Sequence, residues 1–256
     1  ILKQGPIEIH LFGDFKRDDA VAALSKTFGA LPARGGLPAG TAPATARTMA
    51  PSLDPVVLHH NGDKDQSAAI IAWPTGGGAA NIRESRQLEI LTQILQNRVL
   101  NKLREKLGQA YSPQAVNDWP TDLDGGGKIM VIAQLKPEAV PAFFAAADEI
   151  AADLVAHPVT ADELNLVTEP LKQQLTRAGT SSAFFMYLLE GATADPARFN
   201  NVRNVLSDYT VTTPEAMQAL AKKYLNRSSS WRLAVLPQGR TLASLPGWAP
   251  GAVLTR

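Results

Sequence analysis

Arg104 and Tyr111, a guanidinium and a phenol, flank Gly108 in the run LREKLGQAYS, residues 103–112. Arginine brings a positively charged guanidinium and tyrosine a phenol, and both donate hydrogen bonds. Glycine enters the left-handed region without a Cβ penalty, so Gly108 is a natural helix stop. A helix end and a strand start would then hold the two groups near each other. An ordinary reading stays open. Arginine in a last helical turn suits the macrodipole, and tyrosine at a strand start follows β-propensity.

Other chemistries find less support. The histidines are His10, His59, His60 and His157, and none has a second histidine four residues away on a predicted helix. His59 and His60 are adjacent on a predicted strand, so they point to opposite faces and cannot easily share a metal. Ordinary roles suffice: strand histidines at 10, 59 and 60, and a helix C-terminal one at 157. Asp122 and Asp124 lack the spacing and terminal glutamate of an EF-hand, which leaves a solvated loop. The run PTGGG, residues 74–78, lacks the Lys-Ser/Thr of a P-loop and the dinucleotide fingerprint, and is expected as a flexible turn. Ser/His/Asp catalysis stays open, without a visible nucleophile elbow.

The element that must position Arg104 is a long helix within 81–119. Leu88, Leu91, Leu95, Val99 and Leu103 recur every three or four residues and form one apolar face. Ile90, Ile94 and Leu100 widen it, so the helix is expected to be covered on more than one side. Before it, residues 7–12 read as a strand and 18–28 as a helix whose acidic start suits the dipole. Residues 33–54, rich in Ala, Pro, Gly and Thr, have linker chemistry. Strands at 56–60 and 68–73 are expected to pair as a hairpin across NGDKDQ, where Asn61-Gly62 signals a turn.

After the long helix, TDLDGGG reads as a turn and 128–135 as a buried strand. Residues 139–156 form an alanine-rich helix with Phe143, Phe144, Ile150 and Leu154 toward the core. Thr160 and Glu163 fit a capping box. The helix they open carries Leu164, Val167, Leu171 and Leu175, with Pro170 expected to kink it. Helical segments near 183–189 and 197–206 follow. Thr213-Pro214 starts a last helix as N-cap and N1, 231–236 is a closing strand, and 238–256 is a loose or docking tail. The order from residue 55, β-β-α-β-β-α-α-α-α-α-β, predicts an α+β fold: a mainly antiparallel sheet with helices on one face.

Composition narrows the function classes. The chain has 256 residues, 45% hydrophobic and 19% charged, as in ordinary globular domains. With a net charge of +1 and no long basic run, no nucleic-acid partner is expected. The absence of cysteine excludes disulfides and thiolate zinc sites. No apolar run reaches the roughly 20 residues of a membrane span. The chain starts in apolar sequence without methionine or signal pattern, and is expected to be a piece of a larger protein.

The 103–112 run, with its Arg-to-Tyr spacing, intervening Leu-Gly and preceding long helix, resembles the arginine–tyrosine segment of the insulinase (pitrilysin) family of zinc metallopeptidases. The earlier unit, GDF then a helix then FGALP, is similar to the end of the module before it in that family. The resemblance covers nearly the whole chain except the final tail and implies its C-terminal, metal-free domain. By it, residues 1–32 close a preceding module, 33–54 link, 55–237 form the inactive peptidase module and 238–256 trail. The family's zinc motif, His-x-x-Glu-His, is missing from this chain. The resemblance therefore implies no cofactor in this segment and zinc in a partner half, on the same polypeptide or a catalytic subunit. It implies that Tyr111 donates to the substrate carbonyl or oxyanion and that Arg104 orients substrate or Tyr111. The implied function is the substrate-binding half of a zinc metalloendopeptidase acting on peptides, itself inactive, with the periplasm as compartment. The alternative is a non-enzymatic interaction or assembly subunit that keeps the fold.

Overall fold

A computed structural model of the chain describes residues 5, 7–35, 46–107, 113–193 and 195–248. The expected strand at 7–12 does not form. A strand needs a neighbour for its backbone groups, and no described strand pairs with this stretch. A polar tether stands in its place: Glu8 accepts from the backbone N–H groups of Gly191 (2.9 Å) and Thr193 (2.8 Å). Helix α1 (Arg17–Lys26) follows, and none of its residues is buried.

The sheet has five strands: β1 (Val56–His60), β2 (Ser67–Gly76), β3 (Gln114–Asp118), β4 (Gly125–Leu135) and β5 (Trp231–Pro237), in the order β1-β5-β2-β4-β3. Three of its pairings are antiparallel, and β1 with β5 is parallel. The expected hairpin of β1 with β2 is therefore corrected. The chain does reverse after His60, whose Nδ1 accepts from the Gly62 N–H (3.0 Å). But β5 enters between the two strands, pairing Ala234 with Val57 on one side and with Ala69 on the other. Its alternate residues Ala234 and Leu236 are fully buried. A central place suits a strand with such an inner face, whereas β1 leaves Val56 and Leu58 exposed and suits an edge.

The two glycine runs also differ from expectation. Gly76 ends β2 and pairs with Gly125 at the start of β4. A Cβ on Gly77 would lie 2.3 Å from the Leu123 carbonyl oxygen, and one on Gly127 would lie 2.3 Å from that of Gly76. These glycines permit close backbone approach, so PTGGG is a packed crossing and not a flexible turn.

Seven helices follow β2 among the described residues: α2 (Ile82–Leu107), α3 (Val140–Ala156), α4 (Ala161–Ala178), α5 (Ser182–Leu188), α6 (Ala197–Arg203), α7 (Val205–Thr210) and α8 (Pro214–Tyr224). The architecture is α+β, with α2, α3 and α8 laid on the sheet face that carries Ala69, Ile71, Trp73, Ile129 and Val131. The whole α2 stripe from Leu88 to Leu103 is in this core, together with Ile90 and Ile94. Each such side chain contributes about 1.5–3 kcal/mol over exposure. Thr160 caps α4 by accepting from the Glu163 N–H (3.1 Å), and Thr213 caps α8 by accepting from Ala216 N–H (3.2 Å). The return bond of the expected capping box is replaced, because the Glu163 carboxylate takes Arg98. Pro170 lies inside α4, which continues to Ala178. After β5 the chain packs back: Leu242 and Leu245 are buried, and Trp248 stands edge-on to Phe144, ring centroids 6.4 Å apart.

Candidate functional site

The last turns of α2 and the start of β3 flank the Arg104–Tyr111 run. Leu103 points into the core and is fully buried, so Arg104, the next residue, falls on the outer side and is exposed. It makes no hydrogen bond or ion pair with the described residues. Gly108 and Tyr111 lie outside the described residues, as does the burial of residues 106–112. The structure thus locates the arginine and both flanks of the phenol, but not the phenol.

The flanks are held by polar links that the apolar pattern gives no sign of. Arg98, two turns before Arg104, meets Glu163 of α4 in a two-pronged pair, Nε to Oε1 at 2.6 Å and Nη2 to Oε2 at 2.8 Å. Its Nη1 reaches Asp153 of α3 at 2.6 Å. The hydrogen-bonded Glu163 raises the Arg98 pKa above the ordinary arginine value, against the opposing pull of burial. Burial pushes the Asp153 carboxyl upward, but hydrogen bonds from His157 and Arg98 outweigh it and hold the group below the usual aspartate range. Lys102 pairs with Glu149 of α3 at 2.6 Å. On the other flank, Gln96 Oε1 accepts from the Ala115 N–H (2.8 Å), which ties the opening of β3 to the middle of α2. Sequence reading missed Arg98, Lys102 and Gln96. The partners of the two cations lie 47–65 residues away, beyond any local pattern.

Each histidine lies beside a polar group of the chain. His10 Nε2 lies 2.8 Å from Glu8 Oε1, and His157 Nδ1 lies 2.9 Å from Asp153 Oδ1. His59 and His60 meet the Arg240 and Gln66 carbonyl oxygens, each at 2.9 Å. No group of three such side chains among the described residues could hold a metal ion. Zinc therefore does not fit the described residues. Asp122, expected in a solvated loop, is ion-paired with Arg198.

Residues 3–171 match the family model described as the peptidase M16 inactive domain. The chain belongs to this family. The match takes in the long helix, the Arg104–Tyr111 run and β3. No curated protein matches the chain. Among solved structures, the peptidase M16 inactive domain from Pseudomonas fluorescens is 20% identical and aligns over 88% of this chain with a TM-score of 0.66. The periplasmic protease PqqL from Escherichia coli is 17% identical over 88% of the chain, at 0.65. A putative zinc protease from Bordetella pertussis is 16% identical over 70%, at 0.55. The chain spans 52% of the first, 25% of the second and 97% of the third. At these identities the likeness shows the M16 inactive-domain fold. No helix of the described residues is long and apolar enough to cross a membrane.

Proposed function

We propose that this chain is the substrate-binding, non-catalytic half of a zinc metalloendopeptidase. Its division would be 1–32 as the end of a preceding module, 33–54 as linker and 55–237 as the inactive module. The observation that carries the reading is the match of residues 3–171 to the peptidase M16 inactive domain. Zinc would be held by a partner half, since the described residues do not fit it. The fold is shared with PqqL, a periplasmic protease, which supports that compartment.

In this reading the work of the chain is donation to a peptide oxygen. Amide hydrolysis places negative charge on the former carbonyl oxygen, and a donor aimed at that position lowers the barrier. Tyr111 would donate its O–H to the carbonyl or oxyanion. Arg104, exposed at the outer face of α2, would orient the substrate backbone or the phenol. Fixed flanks favour such a role, because a donor that need not reorganise stabilises charge at lower cost.

The test is a peptidase assay on the parent protein, with zinc content measured for every variant. Tyr111→Phe keeps the ring and removes the donor, so kcat is expected to fall about 10²–10³-fold. Arg104→Gln is expected to lower kcat, as loss of an orienting contact does, by less than Tyr111→Phe. Unchanged turnover in Tyr111→Phe at full zinc content would overturn the proposed role of Tyr111, and no peptidase activity in the zinc-loaded parent would leave the reading as an assembly subunit.

A further inference from the structure

A cleft of about 680 Å³ opens beside α3, where the end of α8, the start of β5 and the closing segment meet. Trp73 and Phe144 form its buried floor, and Val155, Leu225 and Trp248 add apolar wall. That volume falls within the roughly 300–1,000 Å³ of small-molecule sites, which are also mainly apolar with a few placed polar groups.

The polar groups lie together. Arg232 is 4% exposed and donates from Nη2 to Asp148 Oδ1 at 2.6 Å. Its guanidinium carbon is 5.9 Å from the Phe144 ring centroid. Arg227 approaches the same carboxylate, its Nε 3.4 Å from Oδ2. Two guanidinium groups thus meet over one aspartate. With Lys222 and Asp54, the lining carries three cations against two carboxylates. A half-enclosed positive excess beside aromatic rings favours an anion with an apolar body, because low-dielectric walls focus the field that draws it in. A planar guanidinium matches a carboxylate in particular.

We infer that this cleft binds a carboxylate attached to an aromatic or branched apolar group, the chemistry of a hydrophobic amino-acid residue with a free carboxyl end. The carboxylate lies at the Arg227–Arg232 end and the apolar group between Phe144 and Trp248. The site uses neither Arg104 nor Tyr111, so it stands or falls separately from the peptidase reading.

Isothermal titration of the full chain with N-acetyl-L-phenylalanine tests the inference, with tryptophan fluorescence reporting on Trp73 and Trp248. Saturable binding is expected, and the amide of the same compound should bind about tenfold weaker or worse for want of a charge-assisted contact. Arg227→Gln should cost a similar factor. Ala152→Trp, which fills the cleft from an exposed position of α3, should abolish binding while the far-ultraviolet spectrum and melting temperature stay as in the parent. A pentapeptide ending in phenylalanine distinguishes the sources: tighter binding than the small acid identifies a peptide end, and weaker binding a free metabolite. No saturable binding at about 10 mM, within the weak millimolar regime, would overturn the inference. Equal affinity for acid and amide, or retained binding in Ala152→Trp, would do the same.

Discussion

Helices α1 and α2 both carry acid in the first turn and apolar residues at helical spacing, yet they end in opposite environments. No residue of α1 is buried; Val21 is 50% exposed, and Phe28 just beyond is 53% exposed. In α2 the stripe from Leu88 to Leu103 is at most 1% exposed. The difference is one of neighbours. The sheet, α3, α4, α7 and α8 all pack against α2, whereas α1 touches mainly the short turn that follows it. An apolar stripe names the side a helix would bury, but stability comes only when another surface covers that side.

This contrast is sharpest at single side chains. Leu91→Ala removes a fully buried side chain from the middle of α2 and should cost about 2–5 kcal/mol in denaturant unfolding. A loss below about 1 kcal/mol would mean that α2 is not the spine of the core. Arg98→Met probes the polar half of the same helix, where the arginine and Glu163 side chains are only 22% and 24% exposed. Loss of the two-pronged pair should cost about 1–2 kcal/mol. Its pH dependence has a defined sign. The folded-state pKa of Asp153 is depressed, so its contribution is present above the ordinary value of 3.8 and fades as pH falls below it. Arg98→Met removes one of the donors that depress it, so its stability should fall less steeply over that acid range. An unaltered slope would remove Asp153 from the cluster. Smallest of all, Phe28→Ala should change stability by no more than about 0.5 kcal/mol. A larger loss would show that the 7–35 segment is covered in solution, and the contrast would fail.

The site divides along the same line. The placement of Arg104 on the outer side of α2 was readable, since it follows directly from a stripe that ends at Leu103. What holds that end was not. Arg98 reads as one more exposed charge until α3 and α4 bring Asp153 and Glu163 to it. The capping of α4 shows both halves of the problem in one residue. Thr160 accepts from the Glu163 backbone as its type and spacing require, while the Glu163 side chain leaves the local motif for a stronger, charged partner.

Residue types and short spacings decided what lies within one element: the α2 stripe and the Thr160 and Thr213 caps. These rest on interactions between residues a few positions apart, which any chain of that local sequence would make. Only the tertiary structure decided that β5 enters between β1 and β2, that the glycine runs let two backbones cross, and that residues from 53 to 248 enclose one cleft. Those outcomes depend on which distant surfaces compete to bury the same apolar faces. That competition is settled by the free energy of the whole packed arrangement, and no local window contains it.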